Sequence, residues 1–175
     1  MNAATFSQAG MARRSIEFVC KAFACLGFAL FLIAAAVSAV SVAGRALLHS
    51  PVPGDYELIQ MFSSISIAMC LPYCELKRGH VFVDFFTMWA SEPLKQWLDV
   101  AAGLLLALVA FLIAWRTWHG MLEIREYQEM SMVLGLPIWW SYILLTPSFV
   151  LLGLTALMNL GRPVAPAPNT TTLSS

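Results

Sequence analysis

Four stretches without a single Asp, Glu, Lys or Arg divide this chain: Ala22 to Gly44, Leu58 to Cys74, Val100 to Trp115, and Met130 to Gly161. A helix needs roughly 20 apolar residues to cross a hydrocarbon core of roughly 30 Å. The first and last stretches meet that length, and the middle two meet it once Glu57, Glu75, Lys95 and Arg116 reach toward the headgroups. With 59% hydrophobic and 11% charged residues, the chain falls outside the soluble globular range. The expected fold is an all-α membrane protein of four transmembrane helices, with spans at about 20–44, 56–77, 94–118 and 132–160. These make a membrane domain of residues 15–162, between an N-terminal segment, 1–14, and a tail, 163–175, whose Pro, Thr and Ser content predicts disorder.

The ends of the spans carry local signals. Arg13 and Arg14 before an apolar run resemble a secretory signal, but 23 uncharged residues are too many for a signal core, so a retained first helix is expected. Along it Ala34 with Ser38, and Ala35 with Ala39, put small residues on faces that let helices approach closely. Pro51, Pro53 and Gly54 predict a turn, and Asp55 an N-cap for the second helix. Lys77, Arg78 and Gly79 mark that helix's end. Residues Val81 to Trp89 are too short to span, and Phe82, Phe85, Phe86 and Trp89 share one helical face. An interfacial amphipathic helix over about 80–91 is therefore expected. Ser91, Glu92 and Pro93 read as the start of the third helix, and Trp97, Trp115 and Trp118 as belt residues. The segment carrying Glu123, Arg125, Glu126 and Glu129 reads as a polar loop. The fourth helix either follows Pro137 or includes it as a kink, with a second possible kink at Pro147.

Four spans put both termini on one side, which holds Arg13, Arg14, Lys21, Lys77, Arg78, Lys95 and Arg162; the other holds Arg45, Arg116 and Arg125. Seven against three predicts cytoplasmic termini. A formal net charge of zero gives no basic face for nucleic acid, so the lipid bilayer is the one partner that composition implies.

Signals for chemistry are weak. His49, His80 and His119 lie near predicted helix ends, not mid-span where a bundle would hold haem, so no cofactor is expected. Cys70 and Cys74 share a face that could hold a metal, though small apolar filler is the better reading, and no metal is expected. Ser63, Ser64 and Ser66 have no charged partner in their span, and nothing resembles a phosphate-binding glycine loop, so the chain does not read as an enzyme. No ionisable residue stands at mid-span, which disfavours a self-sufficient ion-coupled transporter. His80 and Asp84, four residues apart, could meet on a helix and share a hydrogen bond; a solvated polar face with no specific partner is the alternative.

Three segments in order, "GDYELIQ", "CELKRGHVFVDFF" and "LGLPIWWSY", carry a more specific signal. Together they resemble the small membrane subunit of tripartite ATP-independent periplasmic (TRAP) transporters over about Glu17 to Leu160. In that family a tyrosine-glutamate pair opens the second helix, matched by Tyr56 and Glu57. A Gly-His-hydrophobic-x-Val-Asp motif follows, matched by Gly79, His80, Val81, Val83 and Asp84. A Leu-Pro-x-Trp element opens the last helix, matched by Leu136, Pro137 and Trp139. The resemblance implies an accessory subunit in the bacterial inner membrane. Its partners would be a large TRAP membrane subunit carrying the substrate and sodium sites, and a periplasmic substrate-binding protein that delivers an organic acid. Tyr56, Glu57, Arg78, Gly79, His80, Asp84, Pro137 and Trp139 are the candidate structural or subunit-interface residues. The alternatives are a haem- or quinone-binding anchor of a respiratory enzyme and a self-contained small exporter.

Overall fold

The computed structural model describes residues 3–48, 53–77 and 92–160, with side chains over 13–47, 53–77 and 97–160. They form four helices: α1 (Ala3–Leu48), α2 (Asp55–Leu76), α3 (Glu92–Glu126) and α4 (Trp139–Asn159). Each contains a segment long and apolar enough to cross a membrane. The expected all-α, four-span architecture is present. The interfacial helix expected at 80–91 falls outside the described residues.

Helix ends differ from the sequence reading for local reasons. α1 continues back to Ala3, with no proline in that stretch and with Arg13 and Glu17 paired one turn apart at 3.1 Å. α2 opens on Gly54, whose φ of 77° makes it the cap residue and leaves Asp55 as the first helical residue rather than the N-cap. α3 runs to Glu126, so Glu123, Arg125 and Glu126 of the segment expected as a loop form its last turn. It stops in a Schellman arrangement: Glu129 N–H donates to Ile124 O at 3.1 Å and Gln128 N–H to Arg125 O at 3.3 Å. Gln128, at φ 50°, takes the left-handed position that glycine usually marks. Arg116 therefore lies nearly three turns before the helix end. α4 starts after Pro137, at Trp139, so 132–138 is turn rather than helix. Inside α4 Pro147 removes one donor, and the helix continues through it. The flanking hydroxyls bond back to carbonyls four residues earlier, Thr146 to Tyr142 O (3.0 Å) and Ser148 to Leu144 O (2.7 Å).

The helices pack in a row, not a closed bundle. α1 lies along α2, α2 along α4, and α4 along α3, while α1 barely touches α4. The outer helices show why. Among the described α1 side chains the buried residues are Cys20, Gly27, Ala34 and Ser41, one every seven residues and all small. On α3 they are Ala107, Ala110, Ala114 and Met121. A seam of this spacing meets one neighbour, whereas a bundle helix touching two buries a wider stripe. Of the small pairs noted in the sequence, Ala34 and Ser38 face the seam and Ala35 and Ala39 are exposed.

In lipid, apolar side chains gain nothing by leaving the acyl chains for each other, so close backbone approach must hold the seams. Gly27 shows how close: a Cβ there would lie 2.9 Å from Ser66 O and 3.0 Å from Met69 Cβ, both on α2. At the same contact the Cys70 thiol donates to Ala24 O at 3.9 Å. Gly153 of α4 is pressed as tightly, a Cβ there reaching 3.0 Å from the Phe111 ring of α3. Gly27→Val should cost about 1–3 kcal/mol of stability, the usual range for overpacking. It should lower the thermal midpoint of the chain in detergent, followed by tryptophan fluorescence, while Leu26→Val on the exposed face leaves it nearly unchanged. Equal midpoints for the two variants would contradict the seam.

Candidate functional site

The polar chemistry of the described residues gathers at the two ends of α2. At its N-terminal end, Asp55 and Glu57 put two carboxylates in the first turn, where the helix dipole favours them. Asp55 faces α1: it accepts a hydrogen bond from the Ser41 hydroxyl, and Arg45 approaches it at 3.8 Å. Glu57 faces the other way, into the turn between α3 and α4. Its carboxylate accepts from the Ser131 hydroxyl, from Val133 N–H at 3.0 Å and from Leu134 N–H at 3.2 Å. One side chain thus satisfies the turn's otherwise unpaired donors.

The turn is closed by its own bonds as well. Met130 and Pro137 pair as an antiparallel bridge, Ser131 N–H donates to Leu136 O (2.9 Å), and Gly135 N–H to Ser131 O (3.1 Å). Gly135 has φ 63° there, a conformation that a side chain would strain. Leu134 packs onto Gly54 so closely that a Cβ at Gly54 would collide with it. Beside the turn the Arg125 guanidinium lies over the Trp139 ring, 5.6 Å from its centroid.

The other end of α2 is fastened by a buried pair. Asn159 Nδ2 of α4 donates to Glu75 O at 2.6 Å and to Glu75 Oε1 at 3.2 Å. Glu75 is only 5% exposed and Asn159 7%. The expectation that Glu57 and Glu75 stretch toward headgroups is corrected at both positions, because each carboxylate has protein donors within reach. A carboxylate near a helix C-terminus opposes the dipole, and the Asn159 amide offsets this.

The structure brings Glu57, Pro137 and Trp139 to one clamped end. Tyr56 is at the same end with its ring 75% exposed. Arg78, Gly79, His80 and Asp84 lie outside the described residues, as do His49 and His80 among the histidines. His119 sits edge-on against Trp115 with ring centroids 5.5 Å apart. Among the described residues no three His, Cys, Asp or Glu side chains converge as a metal site. A long apolar groove of about 690 Å³ runs along α4 between Val19 and Phe23 of α1 and Trp118 and Met121 of α3. Sequence reasoning missed Ser41, Asn159, Ser131 and the backbone donors of Val133 and Leu134. Their partners are distant in the chain, and the turn's only local signal was Gly135 before Pro137.

A family model described as "Tripartite ATP-independent periplasmic transporters, DctQ component" matches residues 34–165, well over half of the chain. The chain belongs to this family. The matched region begins in the last third of α1 and contains α2 to α4, and with them every bond of the clamp. Comparison with curated proteins and with solved structures gave no significant match. A DctQ component is a transporter subunit, and the family is not an enzyme family.

In this DctQ component Glu57→Ala should free the amides of Val133 and Leu134. Their hydrogen exchange should become several-fold faster, with the helical amides of α2 little changed. Glu57→Gln, which keeps the acceptor oxygen but loses the charge, should fall between. Unchanged exchange at both amides in Glu57→Ala would show that the turn is held without the carboxylate.

Proposed function

We propose that this chain is the small accessory membrane subunit of a sodium-coupled TRAP transporter importing an organic acid such as a dicarboxylate. It sits in the bacterial inner membrane with both termini in the cytoplasm, and supports and anchors the large membrane subunit, to which a periplasmic substrate-binding protein delivers substrate. Family membership supports the general assignment. The observation that carries the supporting role is the row of helices, which among the described residues leaves each outer helix one main neighbour. Phe28, Leu32 and Val40 on α1, and Leu104, Leu108 and Leu112 on α3, present broad apolar faces. A row with two open edges suits a subunit that extends another membrane protein laterally. Orientation follows the seven-to-three distribution of basic residues.

Co-expression with the neighbouring large subunit and binding protein tests this reading. The chain should co-purify with the large subunit, and sodium-driven uptake of a labelled dicarboxylate into vesicles should require all three. His80→Ala or Asp84→Ala should lower co-purification and uptake together, without changing substrate preference. A reporter fused after Arg162 should be cytoplasmic and one at Glu126 periplasmic. Undiminished uptake without this chain, transport by this chain alone, or haem absorbance of the purified protein would each overturn the assignment.

A further inference from the structure

The turn between α3 and α4 combines three properties that a loop in water does not need. Its tip is apolar and exposed: Met132 is 99% and Val133 61% exposed, with Met130 exposed beside them. No charged residue occurs from Met130 to Gly161. Five of the eight backbone N–H groups from 130 to 138 have acceptors although the tip is not covered, those of Ser131, Val133, Leu134, Gly135 and Ile138, and Pro137 has no N–H to satisfy. Internal pairing of backbone polar groups is what contact with lipid demands of non-helical chain.

The level of the turn agrees. α2 and α4, of 22 and 21 residues, are about 33 and 32 Å long and so match the hydrocarbon core closely. The turn is clamped to the first turn of α2 and leads straight into α4, which holds it beside the end of the core. Tyr56, Tyr127 and Trp140 are exposed around it, the amphipathic rings that favour the membrane interface.

We propose that the 130–134 tip is a lipid anchor. Met130, Met132 and Val133 enter the boundary between headgroups and acyl chains at that end of the molecule, and Glu57 holds the tip in the shape that allows it. The inference rests on the membrane-spanning fold and not on the transported substrate or the orientation of the chain. The test uses the full chain with Cys20, Cys25, Cys70 and Cys74 changed to Ala, in vesicles of phosphatidylethanolamine and phosphatidylglycerol, without other subunits. Nitroxide labels go on Met132→Cys and Val133→Cys, which alter exposed side chains, with Glu129→Cys as the water reference and Leu144→Cys as the lipid reference. Collisions with oxygen should exceed those with a water-soluble nickel chelate at 132 and 133, as at 144, with the opposite order at 129. Nickel-dominated collisions at 132 and 133, which a water-facing tip for docking a protein would give, overturn the proposal.

Discussion

Close contact between backbones across small residues is the interaction on which the rest of this molecule depends. Once all four helices are in lipid, exposed Leu and Phe side chains are already in a solvent they favour, so area burial cannot choose partners for them. Cys20, Gly27, Ala34 and Ser41 can, because they let α1 approach α2 to the point where Gly27 has no room for a methyl group. Ala107, Ala110 and Ala114 do the same for α3. Among the described residues each outer helix has one such seam and therefore one main neighbour. The open row, with its apolar outer faces, follows from that count.

α2 is the element that the polar bonds organise. Asp55 ties its beginning to α1, Glu57 ties the same turn to the α3–α4 connection, and Glu75 ties its far end to α4. Van der Waals seams set how close the helices come but allow sliding along their axes. Hydrogen bonds at both ends remove that freedom by fixing which turn of α2 stands beside which turn of its neighbours. For a subunit whose role is support, a fixed register presents one constant surface to whatever packs against its edges.

Much of this was legible in the sequence, and the rest was hidden for separate physical reasons. The four spans followed from uncharged length alone, and the resemblance picked out Glu57, Pro137 and Trp139 before any contact was known. The row was hidden because hydrophobic periodicity says nothing when every face of a helix is apolar; only the seven-residue spacing of small residues could have shown it. The end of α3 was missed because Gln128, not glycine, takes the left-handed position. Glu75 was assigned to the headgroups because its partner, Asn159, lies 84 residues away. Tyr56 was picked out by the same motif as Glu57, yet its ring is exposed, so the motif did not separate a clamping residue from an interfacial one.

The separation between the outer helices tests the row most directly. Spin labels at Leu32→Cys on α1 and Ile113→Cys on α3, both on exposed faces, would be measured by pulsed dipolar spectroscopy in the chain with its native cysteines changed to Ala. With α1 touching α4 only slightly, two to three interhelical steps of about 8–10 Å separate these helices, which places them roughly 16 Å or more apart. Closing the same order of neighbours into a bundle would put α1 beside α3, about 8–10 Å away. A distribution centred beyond roughly 16 Å is the expected result, and one centred near about 10 Å would contradict the row and the supporting role drawn from it.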